Sequence, residues 1–194
     1  MGVIKTALEI ALEKTESIKG DKSGIAQFEA KQQGKKLANE YLAGDIDIAG
    51  ELKKAPAADR EHLKQGVFDV LVTQLTLPSS KDDAAKVEKA IKGLDSIIKS
   101  KEFSAMAGQL MQILSQYLQE SSQYEQAIRQ QYAPKLKQKE EELSRRYGRE
   151  VRLDPMQDPE FIAFHNQHLN ALKGNYEPVI VQARDEARRM FTEG

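Results

Sequence analysis

His165 and His168 stand three residues apart, a spacing that sets two imidazoles on one face of a helix, and Asp158 and Glu160 lie just before them. Imidazoles and carboxylates meeting at one point would hold a divalent cation. The set falls short of that. It contains no His-Glu-x-x-His, its third histidine is the distant His62, and the chain has no Cys. His165 also falls on an apolar stripe, where an imidazole ordinarily belongs to a core. Neither a metal nor a cofactor is expected. No Gly-rich phosphate loop, Gly-x-Ser-x-Gly turn or triad pattern occurs, so the chain is read as a non-enzymatic protein.

Two other groupings carry the chemistry of binding. Gln109, Gln112, Gln116, Gln119, Gln123, Gln126 and Gln130 recur at alternating steps of three and four, which aligns them in one row along a helix. A solvated face built from a good helix former is the ordinary reading of such a row. Exposed helices normally mix in Glu and Lys, however, and this row has neither. An uncharged amide flank suits a partly buried contact, because amides pair across an interface without the desolvation cost of ions. The second grouping is basic: Lys135, Lys137, Lys139, Arg145, Arg146, Arg149 and Arg152, interleaved with Glu140, Glu141, Glu142 and Glu150. Glu141 with Arg145, and Glu142 with Arg146, have the favourable i,i+4 order, so a salt-bridged helix surface is the ordinary expectation. The alternative is a basic tip, led by Arg145, Arg146 and Arg149, that touches phosphate or an acidic partner.

The elements that would position these groups are helices. Ala, Glu, Lys, Leu and Arg supply 87 of 194 residues, close to the composition of long helices and coiled coils. Trp is absent and aromatics are 6% of the chain, so the core is expected mainly from Leu, Ile, Val and Ala. With 29 basic and 30 acidic residues the net charge is −1, which supplies no global attraction for nucleic acid or an anionic membrane. No apolar run approaches the ~20 residues of a membrane span, and Glu9 and Glu13 interrupt any secretory apolar region. The absence of Cys fits a reducing cytoplasm.

A first helix is expected from Val3 to Lys19, then a turn at 20–24 with Ser23 as the next cap, and a second helix to Ala43. Ile4, Ala11, Ile18 and Ile25 keep a seven-residue spacing across that turn, so one continuous helix is the competing reading. Residues 44–55 read as a connector with one helical turn. Pro56 and Asp59 open a helix bearing Leu63, Val67, Val70, Leu71 and Leu75, ended by Leu77-Pro78-Ser79-Ser80. Ser80 and Asp83 have capping-box spacing before a helix carrying Val87, Ile91, Leu94 and Ile98.

From about Glu102 a helix of about 46 residues follows, some 69 Å at ~1.5 Å per residue. Leu110, Ile113, Tyr117, Tyr124 and Ile128 form its apolar stripe, and a stutter sets in beyond Tyr124. Residues 148–157 reverse the chain, and Asp158-Pro159-Glu160 starts the last helix. Short-looped long helices should fold back antiparallel. Pro134 and Pro178 fall inside the two patterns, in the similar contexts Gln131-Tyr132-Ala133-Pro134-Lys135-Leu136 and Asn175-Tyr176-Glu177-Pro178-Val179-Ile180. Either a duplicated segment or coincidence in a narrow composition explains the likeness. A bend, or a local break in helical hydrogen bonding, is expected at each.

Ala7-Leu8-Glu9-Ile10-Ala11-Leu12-Glu13-Lys14-Thr15, Gly34-Lys35-Lys36-Leu37-Ala38 and Val151-Arg152-Leu153-Asp154-Pro155 resemble stretches of an uncharacterised family of all-helical bacterial proteins. The resemblance implies a bacterial, cytoplasmic setting and no activity. The expected architecture is all-α: a small N-terminal helical bundle over 1–101 and a long antiparallel coiled-coil-like helical hairpin over 102–194. The expected function is protein–protein interaction or scaffolding through the hairpin, with a protein partner or a homodimer and no membrane. The alternative is a chaperone-like or RNA-associated factor that meets its target, nucleic acid included, through the basic tip.

Overall fold

The computed structural model describes residues 22–44 and 46–193. The helix expected over 3–19, with Ile4, Ala11 and Ile18 of the seven-residue series, lies outside the described residues. Among those described the chain is all-α, with six α-helices and no strand. They are α1 (Lys22–Ala43), α2 (Ile48–Lys54), α3 (Arg60–Thr73), α4 (Lys81–Ile98), α5 (Lys101–Tyr147) and α6 (Pro159–Glu193), with a 3₁₀ turn at Pro155–Gln157. Ser23 and Gly24 lie inside α1, so Ser23 does not stand at a helix start as expected. α3 stops at Thr73, a turn before the expected Leu77.

Two compact units divide the described residues: 22–74 with 89–99, and 75–88 with 100–193. In the first, α1 and α3 cross with their backbones in contact. Ala30, Gly34 and Ala38 recur every four residues on α1, and all three are buried. A methyl group on Gly34 would overlap the Leu63 carbonyl, and one on Gly66 would overlap the Lys31 carbonyl. Leu63, Val67, Phe68 and Leu71 of α3 are buried in this unit, and larger residues on that face of α1 would hold the two helices apart. Ile91, Leu94 and Ile98, from the second half of α4, are buried as their spacing predicts. Asp47 caps α2 by accepting from the Ala49 amide at 3.0 Å. Arg60 closes the other end, its guanidinium donating to the carbonyls of Leu52, Lys53 and Ala55 at 3.1–3.2 Å.

The second unit is dominated by α5 and α6. The start of α4 belongs here too, where the Ser80 hydroxyl accepts from the Asp83 amide at 3.1 Å and Ser79 donates to the Asp83 carboxylate. That is the expected capping spacing, with the return contact made one residue earlier than in the usual box. Ser100 caps α5, and Gly148, at φ +64°, ends it in the left-handed region that favours glycine. Tyr117 packs edge-on to Tyr176 and Tyr132 edge-on to Phe161, at 5.1 and 5.2 Å between ring centres. Arg189 meets Glu102 at 3.3 Å. These contacts run α5 and α6 antiparallel.

The tyrosine of each Tyr-x-Pro segment packs against an aromatic ring of the opposite helix. Adding the same offset of 44 to Tyr132 gives Tyr176, and subtracting it from Phe161 gives Tyr117. The pairs Tyr132–Phe161 and Tyr117–Tyr176 thus share one register, as in any antiparallel pair of helices. The Tyr132 hydroxyl also donates to Asp158 at 2.9 Å, and Glu120 beside Tyr176 raises that phenol above its ordinary range. Pro134 and Pro178 are both exposed and do not interrupt α5 or α6. Each lacks an N–H, so the freed carbonyl four residues back can turn to water.

Candidate functional site

The turn between α5 and α6 is sewn to the end of α5 by side chains. The Val151 amide donates to the Ser144 hydroxyl and the Leu153 amide to the Glu140 carboxylate, both at 2.8 Å. The Met156 amide donates to Asp154 at 2.9 Å. Asp158 then starts α6. Its carboxylate accepts from the Glu160 amide at 3.1 Å, from the Tyr132 hydroxyl, and from the Lys139 ammonium at 2.8–2.9 Å. Only 7% exposed, Asp158 is a buried charge whose lone pairs are well used. Glu160 joins from outside, 2.8 Å from both Lys135 and Lys139.

Charge and burial fix the protonation of this network. The Lys139 ammonium, followed by the Tyr132 hydroxyl, holds the Asp158 carboxyl below its ordinary range. Lys135 and then Lys139 hold Glu160 down at about 2. Asp158 above all, with Glu160, raises Lys139 beyond the usual ammonium value. Burial, and then the hydrogen bond to Asp158, keeps Tyr132 protonated above the usual phenol range. Phe161 and Ile128 complete the cluster, with Leu136, Phe164 and Leu169 packed around it. The result is a rigid latch.

The latch accounts for what happens to the basic residues. Lys135 and Lys139 are neutralised within it, and Arg152 pairs with Glu150 at 3.0 Å. The expected pairs Glu141–Arg145 and Glu142–Arg146 do not form. Glu142 instead receives a hydrogen bond from Gln138 at 3.4 Å, and Glu140 is taken up by a loop amide. Arg145, Arg146 and Arg149 are exposed, and make no ion pair among the described residues. Beside them two open clefts indent the turn. One of about 430 Å³ is lined by Leu143, Arg146, Leu153 and Pro159 among others. One of about 830 Å³ includes Leu136, Lys137, Arg145 and Val151.

All seven glutamines of the row are exposed. Leu110, Leu114, Tyr117, Ile128 and Tyr132, on the other side of α5, are buried, so the row follows the back of the helix. Gln116 donates to Glu120 at 2.8 Å. Tyr124, expected within the apolar stripe, is 46% exposed. Gln119 and Gln123 reach a groove of about 620 Å³ whose other walls include Ser79, Ser80, Ser115 and Ser122.

His165 and His168 do not converge with the acids. His165 lies by the Phe161 ring, 5.7 Å between centres, and His168 meets the edge of Phe164 at 4.4 Å. Asp158 and Glu160 are held by lysines. Among the described residues no group of three or more His, Cys, Asp or Glu could hold a metal ion, and no helix is long and apolar enough to cross a membrane.

Tyr147 and Met156, which the sequence does not single out as surface residues, are 61% and 47% exposed at the turn. The signal for Tyr147 was its place at the final residue of α5, past the last position that α6 can cover.

Residues 49–189 match the model of a family described as of unknown function, DUF6657. No curated protein and no solved structure matches the chain.

Proposed function

The chain belongs to the DUF6657 family, and on that premise we propose that it is a non-enzymatic interaction protein that self-associates through the back of α5. In this reading α5 and α6 act as a coiled-coil-like hairpin, and the resemblance to helical bacterial proteins supports a bacterial cytoplasmic setting. The supporting observation is the glutamine row: seven uncharged side chains, all exposed, spanning about 32 Å at ~1.5 Å per residue. Its spacing reads nearly the same in both directions. A second copy laid antiparallel sets Gln109 against Gln130, Gln112 against Gln126, Gln116 against Gln123 and Gln119 against itself. At an isologous axis a residue meets its own copy, so a charged side chain at position 119 would repel itself there. Amides do not, since each carries both donors and an acceptor.

The absence of cysteine permits a direct test. Gln119→Cys should form a disulfide-linked dimer under mild oxidation, because the residue lies at the proposed axis. Lys173→Cys, exposed on α6, should remain monomeric under the same conditions. Equal cross-linking at both positions, or none at Gln119→Cys, rules out the row as the interface.

A further inference from the structure

We propose that the turn between α5 and α6 is a second docking surface, one that takes an acidic protein segment bearing apolar side chains. The inference does not depend on self-association through the row. It rests on four cations and two exposed apolar residues that the fold does not use. Arg145, Arg146, Arg149 and Lys137 are exposed and have no ion pair among the described residues. Most acids of the turn are engaged elsewhere, Glu142 accepts only from Gln138, and among the described residues Glu141 alone stands exposed and unpaired against these four cations. Glu140 holds the Leu153 amide, Glu150 holds Arg152, and Asp158 and Glu160 hold Lys139 and Lys135.

Tyr147, next in sequence to Arg146, and Met156 of the turn are exposed, and the clefts are lined by Leu143 and Leu153 in one and by Leu136 and Val151 in the other. Arginine, tyrosine and methionine are the residue types enriched where protein interfaces carry their binding energy. Carboxylates of a partner would meet guanidiniums in bidentate pairs, while its apolar side chains enter the clefts. The Asp158 latch and the Ser144 and Glu140 bonds hold the turn in place beforehand, so little ordering entropy opposes docking.

A phosphate backbone fits less well. Glu141, Glu142 and Glu150 interrupt the cations, whereas nucleic acid is tracked by a continuous positive strip. The net charge of −1 adds no long-range attraction.

The test uses the whole protein and fluorescence anisotropy with three labelled probes. These are a helical peptide of Glu and Leu about four turns long, the same peptide with Lys for Glu, and a single-stranded oligouridylate. Saturable binding of the acidic peptide alone is expected, with a Kd on the order of micromolar. The combined Arg145→Glu, Arg146→Glu and Arg149→Glu variant should weaken it at least about tenfold, and Tyr147→Ala by about tenfold. Circular dichroism melts should leave Tyr147→Ala as stable as the wild type and lower the triple variant modestly, since Arg145 and Arg146 sit in the last turn of α5, with both variants still folded at the assay temperature. Failure of the acidic peptide to bind, or binding that neither variant alters, overturns the proposal. Preferential, steeply salt-dependent binding of the oligouridylate also overturns it and assigns the tip to nucleic acid.

Discussion

At the start of α6, the Asp158 carboxylate serves the helix terminus, the Tyr132 hydroxyl and the Lys139 ammonium together. Asp158→Ala should therefore destabilise the protein by about 2 kcal/mol, more than an exposed cap, since a lysine and a tyrosine lose their partner as well. Asp158→Asn keeps the cap but loses the ion pair, and should cost roughly half as much; urea denaturation of the two variants distinguishes the contributions. Glu160 gives the network a pH signature. Its carboxyl is depressed to about 2, so the stability it contributes is fully present above the ordinary Glu value of about 4.3 and is lost as pH falls through about 2. Melts of wild type and Glu160→Gln should differ at pH 7 and at pH 5 and converge as pH approaches 2. A difference already gone by pH 4 would mean that Lys135 and Lys139 do not hold the carboxylate in solution. Lys99, at φ +55° between α4 and α5, is a non-glycine in the left-handed region, so Lys99→Gly should stabilise by ~1 kcal/mol in the same denaturation assay.

Among the elements, the crossing of α1 and α3 has no slack. Gly34→Ala sets a methyl against the Leu63 carbonyl and should cost about 3 kcal/mol, at the upper end of overpacking, because helix backbone rather than a flexible side chain must move. Gly108→Ala is the control. Its α5 position is open, and a helix-propensity gain of up to ~1 kcal/mol is expected there. Helix existence was legible in the sequence because caps and periodicity are local. Asp158-Pro159, Ser80 with Asp83, and Gly148 each mark a boundary that the fold obeys. The crossing was not read from the sequence: Ala30-x-x-x-Gly34-x-x-x-Ala38 carries a signal for it, but small residues announce a close approach without naming the helix that approaches. The ion pairs at the tip were not legible. The i,i+4 rule assumes that each glutamate answers only to its own helix, and the preference of Glu140 for the Leu153 amide depends on a loop path that no spacing encodes. Tyr124 failed as a core residue for a related reason: a two-helix seam is narrower than the apolar stripe that the sequence presents.

At the scale of the whole molecule, the proposed surfaces both draw on α5, one on its back and one at its end with the following turn. Gln119 and Arg145 are separated by about 39 Å along α5 at ~1.5 Å per residue, so self-association at one and partner docking at the other would not compete. Charge on the row should leave acidic-peptide binding at the tip unchanged. The central claim is that the uncharged back of α5 meets a second copy of itself. Its most direct test is the solution mass by sedimentation equilibrium, over a concentration series, for wild type and for a variant carrying Gln116→Glu, Gln119→Glu and Gln123→Glu. The wild type should shift from 21.8 kDa towards twice that mass as concentration rises, and the variant should stay at the monomer mass. A wild type that remains monomeric throughout, or a variant that assembles equally well, would contradict the account.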